Sequence, residues 1–305
     1  MAETTTTTAH AATGPEAPQA AAQRKTKQPV GAQRHWDMDT DIPWEKFDPS
    51  KVDPELLKII KAASMVEFNA WDYATYLNNV FSDDAAALDE FNHWAYEEVQ
   101  HGQALGRWAE YADPDWSHKE HFDRFVAGFR PDIDATQSIR GGRASEMVAR
   151  CMVEIGTSSY YGSIGQHTQE PVLQEICKRI AADELRHYKM FYKNMKRYLE
   201  TENPTRIQRL RVALGRVLET EDDELSYAYY AANCDPSTAY ERQTYNKAYM
   251  RRAFEFYHPK QIERAVSMTL KASGFNPQSW YAQLAARGAW RFVRHRASRL
   301  AAANA

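Results

Sequence analysis

The sequence predicts an all-α protein, a four-helix bundle with additional C-terminal helices. Three observations predict it. From Asp53 onward the apolar residues recur with a helical period, and no segment alternates as a half-buried strand does. The punctuation between periodic stretches is that of helix ends. Four long periodic segments also fall into two pairs, each pair joined through one capping turn, as antiparallel neighbours in a bundle require.

Residues 1–35 contain no Leu, Ile, Phe, Trp or Tyr and carry a threonine run at Thr4–Thr8. Such a segment buries too little apolar surface to offset its ordering entropy, so a disordered tail is expected. It lacks the apolar run of a secretory signal, which leaves a cytoplasmic protein or, if the tail is a transit peptide, one of an organelle stroma. A single domain is expected over 36–305, starting near Trp36, with Ile42-Pro43-Trp44 as first anchors. Its core bundle is expected at about 54–200 and its helical extension at 205–300. Helices are predicted near 54–81, 84–112, 143–168, 171–200 and 205–232, with more to about 300. Ser82-Asp83-Asp84 is a capping cluster, and Pro171 suits a first helical turn. Asn203-Pro204 and Asp235-Pro236 mark boundaries, because the residue before a proline disfavours the α conformation.

Composition excludes several classes. Lys+Arg 38 against Asp+Glu 41 gives a formal charge of −3, which does not suggest a nucleic-acid partner. Mean hydropathy is −0.68, and no stretch approaches the roughly 20 apolar residues of a membrane span. Cys151, Cys177 and Cys234 are odd in number and lack CxxC spacing, so neither a disulfide framework nor a zinc ribbon is supported.

With 23 Glu and 10 His, chance predicts fewer than one E-x-x-H match, yet four occur: Glu90/His93, Glu98/His101, Glu184/His187 and Glu255/His258. The spacing puts both side chains of a pair on one helical face, which serves a metal or a surface ion pair equally. Two tests separate them. Glu184 and His187 lie within an apolar stripe running from Leu173 through Ile180 to Phe191 and Tyr198. Glu98 and His101 lie within another, from Phe91 and Trp94 to Leu105 and Trp108. A carboxylate on such a face costs several kcal/mol unless it is paired or coordinates a metal. Glu90 falls off its stripe and reads as a surface residue.

The second test is reflection about a turn, since residues equidistant from the turn of a helical hairpin lie side by side. About Ser82/Asp83, Glu98 reflects onto Glu67; about Glu170/Pro171, Glu184 and His187 reflect onto the region of Glu154. The separations nearly match, 31 residues from Glu67 to Glu98 and 30 from Glu154 to Glu184. Glu255/His258 reflects onto Arg216 and Ala213 and fails. The surviving set is Glu67, Glu98, His101, Glu154, Glu184 and His187. Four carboxylates and two imidazoles inside a four-helix bundle form the ligand set of a carboxylate-bridged di-iron or di-manganese centre. Their four negative charges balance two divalent cations, whereas zinc usually takes fewer ligands.

Three stretches carry a family resemblance. Trp94-Ala95-Tyr96-Glu97-Glu98-Val99-Gln100-His101-Gly102 resembles a W-x-x-E-E-x-x-H-G helix. Ile180-Ala181-Ala182-Asp183-Glu184-Leu185-Arg186-His187 resembles I-A-A-D-E-x-R-H, and Glu154-Ile155-Gly156-Thr157 keeps E-x-x-T. These are motifs of the ferritin-like di-iron superfamily, and the sequence is most similar to its soluble acyl-[acyl-carrier-protein] desaturases over about 54–200. The resemblance implies that Glu98 and Glu184 bridge two Fe(2+) ions, with Mn as the alternative metal. It also implies that Glu67 with His101, and Glu154 with His187, complete the two coordination spheres. Thr157 would assist proton delivery; Asp183 and Arg186 would orient the ligands, unless they are ordinary helix-surface charges. The implied reaction is O2-dependent insertion of a double bond into a fatty-acyl chain. Its partners would be an acyl carrier protein or acyl substrate, a ferredoxin-like electron donor and a second copy in a homodimer. Gln100 departs from the pattern, where the family usually has arginine, and the last hundred residues match poorly.

Other features stay open. Gly156, Ser158, Ser159, Gly162, Ser163 and Gly165 could make room for an acyl chain, bulge the helix between Glu154 and Tyr161, or simply allow close packing. Arg287, Arg291, Arg294, Arg296 and Arg299 form an acid-free basic face, a docking surface for an acidic carrier protein or merely a solvated one. The acidic run Glu219–Glu224 reads as exposed. The same ligand set would serve a di-iron hydroxylase or N-oxygenase. A ferritin-like iron store usually needs only the four-helix core, and a ribonucleotide reductase small subunit would carry a tyrosine where Leu105 stands.

Overall fold

The computed structural model describes residues 34–131, 133–219 and 223–302, and the regular secondary structure among them is helical. Two short 3-10 turns (Trp44–Lys46, Pro49–Lys51) lead into α1 (Pro54–Phe68), α2 (Ala70–Val80), α3 (Ala85–Ala112) and α4 (His118–Gly128). There follow α5 (Arg143–His167), α6 (Pro171–Glu202), α7 (Arg206–Leu218) and α8 (Asp223–Asn233), then α9 (Arg242–Glu255), α10 (Pro259–Ala272) and α11 (Trp280–Ala302). Among the described residues, no helix is long and apolar enough to cross a membrane.

The helix ends are set by local chemistry. Asp53 caps α1 by accepting from the Glu55 and Leu56 amides, with Pro54 in the first turn; Asp84 caps α3 through the Ala87 amide. Glu170 caps α6 through the Val172 and Leu173 amides and also accepts the Trp108 indole N–H at 2.6 Å. This fully buried carboxylate is therefore satisfied entirely by N–H donors. Thr205 and Gln208 form a reciprocal capping box at the start of α7. The first turn of α5 has no side-chain cap of its own. Glu202, at the far end of α6, supplies it, accepting from the Arg143 and Ala144 amides at 2.9 and 2.7 Å. That contact ties the ends of two antiparallel helices together.

The bundle is built from α1 with α2, α3, α5 and α6. α1 and α2 pack on α3, α5 packs on α6, and α3 packs on α6. Two hydrophobic clusters fill it at different levels. One joins Ile59 and Ile60 of α1, Leu105 and Trp108 of α3, and Ile176 and Ile180 of α6 with α8 and α9. The other joins Leu77 of α2, Phe91 of α3, Met147 and Cys151 of α5, and Phe191 of α6. Along α1–α2, α3 and α6, the polar residues of interest fall between the two clusters.

Several expectations are corrected. The helix expected over 54–81 is interrupted at Asn69, two residues past Glu67, where ψ is 8°. The one expected over 205–232 is two helices, α7 and α8, with residues 220–222 outside the described set. α4 had no counterpart in the prediction. No bulge forms between Glu154 and Tyr161: α5 is continuous α-helix there, because open space on one side of Gly156 lets the small residues stay regular. Glu224, in the supposedly exposed acidic run, is buried beside Tyr73, and Glu219 pairs with Arg140. The tail expected over 1–35 lies outside the described residues up to residue 33. Arg34 and His35 are described, and they contact Tyr96 and Glu97 of α3.

Close approach of α1 and α3 depends on one missing side chain. A Cβ on Gly102 would stand 2.5 Å from the Phe68 backbone nitrogen and 2.7 Å from its Cα. Backbone cannot yield as a flexible side chain can. Gly102→Ala is therefore expected to destabilise the metal-free protein by about 1–3 kcal/mol in urea unfolding. Gly156→Ala, which meets nothing within 4 Å, is expected to stabilise it by about 0.5–1 kcal/mol, the helix-propensity difference.

Candidate metal centre

Each side chain singled out in the sequence is delivered by a bundle helix. Glu67 is the penultimate residue of α1; Glu98 and His101 lie mid-way along α3; Glu154 lies in α5, and Glu184 and His187 in α6. All six are buried, Glu67 the least so at 9 % exposure. Their ligand atoms form two groups, each within 4.8 Å of one another: Glu67, Glu98, His101 and Glu184, and Glu98, Glu154, Glu184 and His187. Glu98 and Glu184 belong to both groups. The rejected pairs are elsewhere: Glu90 bonds Lys193 and Asn194, and Glu255 and His258 are exposed.

The two imidazoles are held in matching ways. His101 turns Nδ1 inward, 3.0 Å from Glu98 Oε2 and 3.3 Å from Glu184 Oε1, while Nε2 lies 2.8 Å from Asp183 Oδ2. His187 turns Nδ1 inward, 3.0 Å from Glu98 Oε1 and 3.5 Å from Glu154 Oε2, while Nε2 lies 3.0 Å from Glu97 Oε2. The outer contacts cross between helices: α6 supplies the carboxylate behind the α3 histidine, and α3 supplies the one behind the α6 histidine. Arg186 forms an ion pair with Asp183, whose Oδ2 also accepts the Trp36 indole N–H at 2.7 Å. Thr157, half-buried, donates to Glu184 Oε2 at 2.6 Å.

Sequence reasoning missed three of these groups. Glu97 sits in a Glu-Glu-x-x-His run that parallels the Asp-Glu-x-x-His run of α6, and that parallel was the available signal. Tyr161 stood on an apolar stripe, yet its hydroxyl donates to Glu67 Oε1 at 2.5 Å. Trp36 was read only as the start of the folded sequence. It stacks nearly parallel to His101, with ring centroids 6.2 Å apart. Gln100, the departure from the family pattern, is buried and donates to the Trp36 carbonyl at 3.0 Å.

Six ionisable groups in so small a dry volume divide their protons unevenly. Burial, then the charges of Glu98 and Glu184, hold the Glu67 carboxyl well above its usual range. Burial and the same two neighbours do likewise to Glu154. Burial also opposes ionisation of Glu98, but the charges of His187 and His101 outweigh it and hold Glu98 well below the usual range. Burial disfavours the charged form of His101, yet Glu98 and the bond to Glu184 prevail and push it up to about 10. Without a cation, then, two acids keep protons and two pair with imidazolium.

The donor set fits divalent cations better than it fits itself. Among the described residues, neither Glu154 oxygen has a hydrogen-bond partner, and Glu184 Oε1 and His187 Nδ1 lack one of acceptable geometry. Orphaned buried carboxylate oxygens cost free energy that coordination would recover. The buried Glu/His groups can therefore hold metal. Oxygen-rich ligation with two imidazoles suits iron or manganese better than a tetrahedral zinc site.

Residues 72–221 match the model of a protein family described as fatty acid desaturase. The match takes in Glu98, His101, Glu154, Glu184 and His187 and begins five residues after Glu67. No curated protein matches the chain.

Glu154→Leu separates stability from metal binding. Removing an orphaned buried acid is expected to stabilise the metal-free protein by about 1–4 kcal/mol. Anaerobic ferrous iron in hundredfold excess over its dissociation constant should add about 2.7 kcal/mol to the wild type and much less to the variant. Thermal unfolding with and without iron checks both.

Proposed function

We propose that this chain is a di-iron, O2-dependent oxidoreductase that introduces a double bond into a fatty-acyl chain, in the manner of the acyl-[acyl-carrier-protein] desaturases. The observation that carries the reading is the pair of overlapping ligand groups sharing Glu98 and Glu184. Glu67 and His101 would hold one ion, Glu154 and His187 the other, with the shared glutamates bridging. The four carboxylates would neutralise two Fe(2+) ions, and manganese would fit the same donors. The desaturase family match over 72–221 supports the reaction class. Bound iron would supply the electrons that reduce O2 and the oxidising strength needed to take hydrogen from an unactivated C–H bond.

The chain's own residues have definite tasks in this reading. Asp183 and Glu97 accept Nε2–H from His101 and His187, which fixes each ring's tautomer and leaves the Nδ1 lone pair facing inward. Arg186 pairs with Asp183 from the outer side. The Thr157 hydroxyl, hydrogen-bonded to Glu184 Oε2 and lying one helical turn beyond Glu154, is placed to deliver a proton into the site. Tyr161 fixes the Glu67 carboxylate. Burial of all six side chains keeps water out, which strengthens each electrostatic contact. An acyl carrier protein or another acyl carrier would present the substrate, a ferredoxin-like protein would supply electrons, and the protein would work as a homodimer in the cytoplasm or an organelle stroma.

One observation favours a second reading, oxygenation of another small molecule. An acyl chain needs a long apolar tunnel. The clefts described on this surface, of about 280 and 310 Å3, have mixed polar and apolar linings and lie between α10 and α11 and at the start of α5, away from the six side chains.

Anaerobic iron loading, followed by O2, a reductant and a panel of acyl-carrier-protein, acyl-coenzyme A and free-acid substrates, distinguishes the two by mass spectrometry. Loss of two hydrogens from an acyl product is expected; gain of one oxygen supports the second reading, and failure to bind any transition metal overturns both. Thr157→Val is expected to keep the iron content and lower turnover by about 100-fold. Thr157→Ser should restore most of it.

A further inference from the structure

Charge is partitioned unevenly over this molecule. α7, α10 and α11 together carry twelve Lys and Arg and a single acid, Glu263, in a chain whose formal charge is −3. The remainder therefore carries a net −14. α7 and α11 contain no acid at all, and α10 packs against both.

The same two helices expose most of the large apolar side chains found on the surface. Of eleven such residues, eight belong to α7 or α11. Six of the eight are between 51 and 72 % exposed: Ile207, Leu214 and Leu218 on α7, and Trp280, Leu284 and Phe292 on α11. Their positions are ordered. Ile207, Leu214 and Leu218 follow i, i+7 and i+11 and form one outward row. Trp280, Leu284, Arg287 and Arg291 follow i, i+4, i+7 and i+11 and form another, with Phe292, Arg294 and Arg299 beside it. The opposite side of α11, marked by Ala282 and Ala286, is buried. Arg287, Arg291, Arg294 and Arg299 form no ion pair among the described residues, so this charge is not consumed within the fold.

We propose that the exposed rows of α11 and α7, two helices that both pack on α10, dock on an anionic lipid bilayer. The occupant follows from the chemistry of the rows. A bilayer surface offers phosphate oxygens to guanidinium groups and, just beneath, a place for Trp, Leu and Phe to enter. Single exposed apolar side chains standing between arginines on one helix match such a surface. A folded acidic partner would instead present its own anchors to a pocket, and the cleft beside α11 has charged and polar Lys260, Glu263, Arg264 and Gln283 on its lining, with only Pro277 and Ala282 as apolar members and no socket of large apolar side chains. The negative remainder of the chain orients the molecule, since an anionic membrane attracts these rows and repels the rest. Docking of this kind needs no spanning helix. It is independent of the metal centre and of the reaction.

Vesicle flotation tests it with the full-length protein. Vesicles of equal phosphatidylglycerol and phosphatidylcholine are expected to bind at least about tenfold more tightly than pure phosphatidylcholine, with the difference lost at high salt. Each of Arg287→Gln, Arg291→Gln and Arg294→Gln should weaken binding about fivefold. Trp280→Ser with Leu284→Ser should weaken it while leaving the salt dependence intact. Unchanged thermal midpoints and iron content would show that these variants are folded. Equal binding to both vesicle types overturns the proposal. So does an acidic carrier protein, or a second copy of the chain, occupying these residues while vesicles do not bind.

Discussion

A layer of six ionisable side chains crosses the bundle between two separate hydrophobic clusters, and the architecture around it is shaped by the need to keep it there. On either side, Ile, Leu, Phe and Trp fill the two clusters. Within the layer, four carboxylates meet two imidazoles. In the metal-free chain burial and the neighbouring carboxylates hold Glu67 and Glu154 well above the usual carboxylate range, while the two histidines hold Glu98 and Glu184 below it. A hydrophobic layer of the same volume would hold the bundle together at least as well. The polar layer is thus a cost to stability, and the two clusters on either side are what allow the fold to carry it. Two divalent cations would reverse the sign of that cost by giving the orphaned oxygens of Glu154 and Glu184 a partner.

The layer is pinned from outside by a second set of acids arranged crosswise. Glu97 and Asp183 each precede a shared glutamate in sequence, yet each braces the histidine of the opposite helix. α3 and α6 therefore cannot slide past one another without breaking two buried charge-assisted hydrogen bonds at once. A slide of one residue would also turn Glu98 and Glu184 away from both groups. Geometry this constrained is largely assembled before any cation binds, as a preorganised site requires.

Much of this was legible because the two determinants are periodic. Apolar spacing located α3, α5 and α6 to within two residues, and reflection about Ser82 and Pro171 paired Glu98 with Glu67 and Glu184 with Glu154. What stayed hidden depends on contacts distant in sequence. Glu97 is off the apolar stripe of its own helix, so periodicity discards it; only the parallel with Asp183 hints at its role, and its partner His187 lies 90 residues away. The break at Asn69 carries no proline or glycine, so nothing in the local sequence marks it. The small residues of α5 suggested a bulge, but composition reports only that bulk is absent; Gly162 and Gly165 turn out to face Gln261 and Cys177, as close packing requires.

The N-terminal segment shows how the outer acids are themselves kept in place. His35 donates to Glu97 at 2.8 Å, and the next residue, Trp36, donates to Asp183 at 2.7 Å while stacking on His101. Two consecutive residues thus touch both carboxylates that brace the histidines. Gln100 adds a third tie through the Trp36 carbonyl, at the position where the resembled family usually has arginine. The neutral amide there makes one hydrogen bond to the Trp36 backbone. The segment thus acts as a strap over the crossed acids, His35 holding the carboxylate behind one histidine and Trp36 the carboxylate behind the other.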